Sequence, residues 1–298
     1  MATQAQVPTL GFTYGPWMPP SALRDIAVAV EDNGLEELWL WEDCFSQSGV
    51  ASAAAALAFT SRIRVAIGLM PVPLRTVALT AMEIATIDGM FPGRFIAGIG
   101  HGVQEWMGQA GVRTAKPLSL LREYDAALRA LLAGESVTVS GEFITLDDVK
   151  LTWPPQGDLP LMVGGTGPRT LDFAGSLPHG SLLGNAYSDA DLVAACERIH
   201  AAHAASPHAS SPHAIVYPLL VATGENAEER LRAEAPLWGK TADDQIGVAG
   251  DAATIADYLR RLGAMGVTSV AFETTQDVTD QVGFIRFIGE EVRPLLQN

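Results

Sequence analysis

The chain has 298 residues, of which 48% are hydrophobic and only 18% are charged, so it can bury one large core. Its net charge of −15 does not suit the basic face that nucleic acid or an anionic membrane requires, and we expect neither as a partner. No apolar run reaches the roughly 18 residues of a membrane span. The first residues do not resemble a signal peptide, and the distant Cys44 and Cys196 are typical of free thiols, so we expect a cytoplasmic protein.

Short apolar strands alternate with helices along the whole chain. The strands are continuous apolar runs, which is typical of strands buried on both faces. About eight such units in 250 to 300 residues predict one α/β domain, residues 1–298, folded as a (β/α)8 TIM barrel. A doubly wound sheet would need a GxGxxG motif directly after the first strand, and residues 11–16 do not provide one. The predicted strands are 9–13, 38–41, 64–68, 94–99, 161–163, 181–183, 215–221 and 269–272, and the predicted helices include 21–33, 50–60, 76–87 and 118–132.

Three connections are longer than ordinary strand-to-helix loops. Residues 104–117 follow the fourth predicted strand and residues 222–247 follow the seventh, so we expect insertions at both places. Residues 135–160 read as a small hairpin with strands at 137–139 and 143–146. Long loops in compact domains are often lids or binding segments.

Two glycine-rich segments follow predicted strands, which is where a TIM barrel carries its active site. In the first, the missing side chains of Gly98, Gly100 and Gly102 would let a planar ligand or a phosphate approach the main chain, although a plain tight loop is the alternative. The second, residues 164–168, precedes a helix, where free backbone N–H groups and a Thr hydroxyl favour an anion. There the alternative is an ordinary turn with Pro in the first helical turn.

These motifs carry a family resemblance. Residues 67–69, Arg75, residues 92–95 and the run from Gly98 to Glu105 are similar to the bacterial luciferase-like monooxygenase superfamily, above all to its branch that uses the deazaflavin coenzyme F420. Further matches at 161–168, 248–251 and 266–268 extend the resemblance over almost the whole chain. It implies a TIM barrel with F420 as cofactor, and FMN as the alternative.

The resemblance also implies site residues. A bulge with a cis peptide between Gly68 and Leu69 is expected to support the central ring of the cofactor, and the loop after the fifth strand is expected to hold its phosphate. The cofactor-binding residues implied in this way are Gly68, Leu69, Gly100, Gly164, Gly165, Thr166 and Gly167. The implied catalytic residues are Asp43 and Glu105. His101, four residues before Glu105, is a further catalytic candidate by position, with a hydrogen-bonded structural histidine as the alternative. All three are expected to face one pocket.

One position departs from the family pattern. Cys44 stands where relatives commonly carry a His that is credited with proton transfer, and a Cys cannot be assumed to replace it. We interpret Cys44 as a small apolar residue, because no His partner is evident nearby. Glu42 and Asp43 remain candidate acids or bases, and their adjacency on a strand predicts that only one of them faces the site.

Four histidines, His200, His203, His208 and His213, cluster in sequence without a ligand pattern for zinc, so we expect no metal site and interpret them as a solvated helix end and loop. The predicted helix 50–60 is apolar on every side, which predicts a second burial surface and hence a homodimer, since an outer barrel helix needs only one apolar stripe. Coverage by a loop of the same chain is the alternative.

Three functions compete on this fold. The first is an oxidoreductase that transfers a hydride between F420 and a small organic substrate. The second is a luciferase-like monooxygenase that uses reduced FMN, dioxygen and a partner flavin reductase. The third is a flavin-free, non-catalytic barrel. The glycine pattern with Glu105 favours the first, and the predicted anion loop disfavours the third. Fold alone decides none of them.

Overall fold

A computed structural model describes residues 7–297, and within them a closed barrel of eight parallel strands forms the centre of the molecule. The strands of the chain are β1 (Thr9–Tyr14), β2 (Glu37–Leu40), β3 (Arg64–Pro71), β4 (Phe95–Gly100), β5 (Val137–Ser140), β6 (Thr145–Val149), β7 (Leu161–Gly164), β8 (His179–Leu182), β9 (His213–Ala222), β10 (Gly247–Ala249) and β11 (Ser269–Thr274). The order around the barrel is β1, β2, β3, β4, β7, β8, β9 and β11, and β11 pairs back with β1. The TIM-barrel prediction is therefore confirmed.

Helices cover the outside of the barrel. They are α1 (Leu23–Asp32), α2 (Gly49–Phe59), α3 (Val77–Met90), α4 (Gln104–Gln109), α5 (Pro117–Leu132), α6 (Pro168–Gly175), α7 (Asp189–Ala204), α8 (Ala227–Glu234), α9 (Ala252–Met265), α10 (Gln281–Phe287) and α11 (Arg293–Leu296), with 3₁₀ turns at Pro20–Ala22, Val72–Leu74 and Ala235–Trp238 and a π-helical turn at Ile288–Val292. Within the described residues, no helix combines the length and the apolarity needed to cross a bilayer.

The alternation of side chains along each strand divides the core into two layers. In β2, Leu38 and Leu40 belong to the larger layer between strands and helices, whereas Trp39 belongs to a smaller cluster inside the barrel. That inner cluster fills the barrel below the site, so the barrel is a packed core rather than a channel. Its buried members are Trp39, Ala66, Ile96, Met162, Leu182, Val216 and Ala271.

Insertions follow the fourth and seventh barrel strands, as the sequence predicts. After β4 come α4, α5 and the antiparallel hairpin β5–β6, which the Glu123 carboxylate fastens to α5 by accepting hydrogen bonds from the backbone N–H groups of Phe143 at 2.8 Å and Ile144 at 3.1 Å. After β9 come α8 and the turn Ala235–Trp238, and then β10, which extends the sheet by pairing with β9. Sequence reasoning assigned no strand to β10, which is only three residues long.

Two of the four clustered histidines, His203 and His213, are not solvated as the sequence predicted. His203 is buried and its ring lies 4.7 Å from that of His213, while the ring Nε2 of His213 is 2.9 Å from the Ser181 hydroxyl. Burial, with the neighbouring His203, lowers the pKa of His213 to about 4. The prediction is wrong for these two residues, because the side chains of α7 and β9 meet in the fold although a polar loop separates them in sequence.

Candidate active site

A cavity of about 260 Å³ opens at the C-terminal ends of the barrel strands. Five successive strand ends, those of β2, β3, β4, β7 and β8, contribute to it, which is where the TIM-barrel fold places active sites. Its lining consists of Trp41, Glu42, Asp43, Gly68, Leu69, Pro71, His101, Gly102, Val103, Trp106, Gly164, Gly165, Thr166, Leu182, Leu183, Gly184, Asn185 and Pro218.

The wall formed by β3 is a bulge. The peptide bond between Gly68 and Leu69 is cis, and the pairing of β3 with β4 shifts register between Ile67 and Met70. Leu69 extends across two glycines, since a Cβ atom on Gly100 or Gly164 would stand only 2.6 Å or 2.5 Å from Leu69 Cδ2. The barrel therefore makes room for the Leu69 side chain, and the bulge faces the cavity.

This packing changes the role of the strand-four glycines. Gly98 and Gly100 are buried, and a Cβ atom on Gly98 would stand 2.5 Å from Leu182 Cδ1, so both glycines accommodate protein side chains rather than a ligand. Gly102 does line the cavity, with a positive φ of 70° that favours glycine. Of these three glycines the cavity lining includes only Gly102, and the role of Gly100 in binding the cofactor stays a prediction.

The segment after β2 places two carboxyl groups in the lining. Burial raises the pKa of Asp43 to about 6, near the range in which a carboxyl group can exchange protons at neutral pH. Glu42 is held differently, because its Oε1 lies 2.7 Å from Nη1 of Arg75, and Arg75 also contacts Glu83 at 3.2 Å. Both carboxyl groups line the cavity, whereas the sequence predicted that only one would.

Cys44 lies beside these carboxyl groups but outside the lining. The bond between Cys44 and Phe45 is a second non-prolyl cis peptide. Burial, with the neighbouring Asp43 and Glu42, raises the pKa of the thiol, which keeps it protonated at neutral pH. A protonated thiol is a poor nucleophile, which agrees with the interpretation of Cys44 as a small apolar residue.

His101 and Glu105 occupy different surroundings. His101 lines the cavity; its Nδ1 lies 3.0 Å from the carbonyl oxygen of Gly102, and its Nε2 lies on the side of Gly165. Glu105 is exposed on the short helix α4 and is not part of the lining, although its neighbour Trp106 is. The structure thus brings together Asp43 and His101 and leaves Glu105 outside.

The loop after β7 forms another wall of the cavity. Gly164, Gly165 and Thr166 line the cavity, and Gly167 is the N-cap of α6 with Pro168 as its first residue. No side chain caps this helix, but the N–H groups of Thr170 and Leu171 donate to the Gly167 carbonyl oxygen at 2.9 Å and 3.0 Å, and the N–H of Gly165 donates to the Leu182 carbonyl oxygen at 3.2 Å. The N–H groups of Thr166 and Gly167 have no such partner among the described residues and are the ones left for a ligand. A Cβ atom at Gly165 would stand 2.6 Å from Thr170 Cγ2, whereas one at Gly167 would meet nothing within 4 Å.

Sequence reasoning missed a fully buried carboxyl group, Glu273, at the end of β11. Its Oε2 accepts a hydrogen bond from Nδ2 of Asn185 at 2.5 Å, and the hydroxyl of Thr13, which is also fully buried, interacts with the same carboxyl group. Burial raises the pKa of Glu273 well above its usual value, and the nearby Asp43 raises it further. The signal in the sequence was a carboxylate at the end of an otherwise apolar strand.

Three tryptophans from distant segments also meet here. Trp41 lines the cavity, and its ring makes T-shaped contacts with Trp17 at 5.9 Å and with Trp238 at 6.0 Å between centroids. Trp17 follows β1, and Trp238 belongs to the insertion after β9. Among the described residues, no group of three or more His, Cys, Asp or Glu side chains is placed to hold a metal ion.

Comparison with known proteins agrees with this architecture. The family model of the luciferase-like monooxygenases matches residues 2–286, so the chain belongs to that family. It is 31% identical, over 65% of its length, to a 5,10-methylenetetrahydromethanopterin reductase of Methanolobus tindarius, and it spans 59% of that relative.

Solved structures show the same fold at lower identity. An F420-dependent secondary alcohol dehydrogenase, solved with an F420–acetone adduct, superposes with a TM-score of 0.85 at 19% identity, covering 98% of this chain and all of the other. The monooxygenase RslO1 of Streptomyces bottropensis superposes with a TM-score of 0.80 at 17% identity, covering 96% of this chain and 99% of the other.

Proposed function

We propose that this member of the luciferase-like family is an oxidoreductase that transfers a hydride between coenzyme F420 and a small organic substrate. The observation that carries the proposal is the arrangement of the cavity, in which the Gly68–Leu69 bulge forms one wall and the glycine-rich loop of residues 164–166 forms another. A ring system fits against the first wall and a phosphate fits the second. The F420-dependent enzymes among the compared proteins support the choice of cofactor.

The residues present fit such a cofactor. When bound, F420 supplies the hydride chemistry, and the chain contributes positioning and proton transfer. Gly164 and Gly165 would let the phosphate approach the main chain, and the N–H groups of Thr166 and Gly167 together with the Thr166 hydroxyl would hold it. Asp43 and His101 both line the cavity and are the groups we propose for holding or moving the proton that accompanies hydride transfer. Glu105 has no part in this proposal, because it lies outside the lining.

A parallel titration with F420 and FMN, followed by the fluorescence of each ring, tests the choice of cofactor. We expect F420 to bind more tightly. Stoichiometric binding of FMN without a response to F420 would instead favour the second candidate, an FMN-dependent monooxygenase supplied by a flavin reductase, which the superposition with RslO1 supports. Failure of both cofactors to bind would favour the third candidate, a flavin-free, non-catalytic barrel.

A variant pair at Gly167 tests the phosphate site. Asp and Asn are both good N-cap residues, and the position has open space for either side chain, so both variants should fold. Only Gly167→Asp adds a negative charge beside the phosphate, which at about 5 Å costs on the order of 1–3 kcal/mol, or roughly a 5- to 150-fold loss of F420 affinity. Equal affinity of the two variants would show that the phosphate binds elsewhere.

We also propose a cytoplasmic homodimer. The outer faces of α2 and α3 carry apolar side chains that the described part of the chain leaves in solvent, among them Phe59, 42% exposed, and Met82, 58% exposed. An apolar outer surface on neighbouring helices supports a second copy as the cover. Light scattering at low micromolar concentration should give a dimer mass, and Met82→Glu should give a monomer. Trp153→Glu, on an exposed loop, is the matched control.

A further inference from the structure

The charge of the cavity limits what it can bind. Among the residues that line it there is no Arg or Lys. Glu42 is paired with Arg75, whose charge is shared with Glu83, whereas Asp43 forms no ion pair with any described residue. Apart from the loop proposed for the cofactor phosphate, the lining therefore offers an anionic substrate no Arg or Lys in place of the water that it loses, and the substrate would also face a carboxyl group.

The aromatic side chains of the cavity wall further limit which ligands the cavity can bind. Trp41 makes T-shaped contacts with both Trp17 and Trp238, so its indole is fixed from two separate loops. Trp106 reaches the same cavity from the insertion after β4. Aromatic walls fixed in this way favour a flat aromatic ligand, because stacked or edge-to-face rings gain more than buried area alone.

We propose that the substrate part of the cavity takes a flat, aromatic molecule without negative charge, such as an uncharged aromatic ketone. The proposal rests on the proposed function only for the statement that the molecule is a hydride acceptor or donor. Recognition itself follows from the tryptophan wall and from the lining without Arg or Lys.

Calorimetric binding of three probes tests the proposal. 2-Acetonaphthone is aromatic and neutral, 2-naphthoate has the same rings with a carboxylate, and acetone is a small ketone without a ring. Each is titrated into the protein with and without saturating F420, so that a failure of cofactor binding is seen separately. We expect 2-acetonaphthone to bind at least tenfold more tightly than either other probe. Equal or tighter binding of 2-naphthoate, or of acetone, would overturn the proposal.

Variants connect the result to the named side chains. Trp238→Ala removes one of the two contacts that fix Trp41 and should weaken 2-acetonaphthone at least fivefold. Trp153 lies on a loop and is 83% exposed, so Trp153→Ala should leave the affinity for 2-acetonaphthone unchanged. Trp238→Phe retains an aromatic ring and should recover most of the loss. If Trp238→Ala melts early, Trp238→Leu, which keeps apolar bulk without a ring, takes its place and should show the same loss of affinity. Equal affinities in Trp238→Phe, Trp153→Ala and Trp238→Ala would contradict the role of the tryptophan wall.

A variant at Asp43 tests whether its carboxyl group excludes anionic ligands. Asp43→Asn removes the unpaired carboxyl group, which is ionised at pH 7.5 given a pKa of about 6. At that pH the variant should reduce the difference in binding affinity between 2-naphthoate and 2-acetonaphthone at least threefold. An unchanged difference would show that Asp43 does not exclude anions.

Discussion

Replacement of Glu273 with Gln tests whether this buried carboxyl group is protonated in the native state. Burial raises its native pKa, so the folded chain retains a proton that the unfolded chain releases above a pKa of about 4.3. The unfolded state then binds fewer protons than the native state, and the stability of the wild type falls as pH rises. Gln cannot ionise, yet its amide oxygen can still accept the hydrogen bond from Asn185.

The size of the effect follows from proton linkage. While native Glu273 remains protonated, the wild type loses about 1.4 kcal/mol of unfolding free energy for each pH unit because of this group. Between pH 6 and pH 8, the advantage of Glu273→Gln over the wild type should therefore grow by up to about 2.7 kcal/mol. Other buried carboxyl groups, such as Asp125, are present in both proteins and cancel in the difference.

Urea unfolding of both proteins at pH 6, 7 and 8, with refolding checked at each pH, measures this difference. Glu105→Gln is the matched control, since it removes an exposed carboxylate and should change stability by less than about 0.5 kcal/mol at each pH. A Glu273→Gln variant that is less stable than the wild type by the same amount at all three values would refute the reasoning. It would mean that native Glu273 is ionised and stabilised by its neighbours.

Two further variants test the site. The unfolding free energy of Asp43→Asn should rise relative to that of the wild type by up to about 3 kcal/mol between pH 4 and pH 6, and should rise no further above pH 6.5, because the native pKa of Asp43 is only about 6. Urea unfolding measures this plateau. A rise that continues above pH 6.5 would contradict that pKa. Gly100→Ala should cost about 1–3 kcal/mol in urea unfolding and weaken F420 in the fluorescence titration, because its Cβ meets Leu69. Gly157→Ala, which has open space, is its control, and equal stability of the two would show that the bulge tolerates the methyl group.

The sequence alone determined the barrel. Short apolar strands that alternate with helices can bury both faces of each strand in only a few ways, and eight repeats select the closed one. The position of the glycine loop after the fifth barrel strand also followed from local pattern, because a strand, glycines and a Pro at the helix start are adjacent in the chain.

Tertiary structure decided which residues share the site. Asn185 and Glu273 are 88 residues apart and meet because β8 and β11 end at the same rim of the barrel. Trp17, Trp41 and Trp238 meet for the same reason, and their wall cannot be read from spacing. Gly98 and Gly100 looked open to a ligand in the sequence but are filled by Leu182 and Leu69, because a missing side chain shows only that something comes close. What comes close depends on contacts between strands, which closure of the barrel creates.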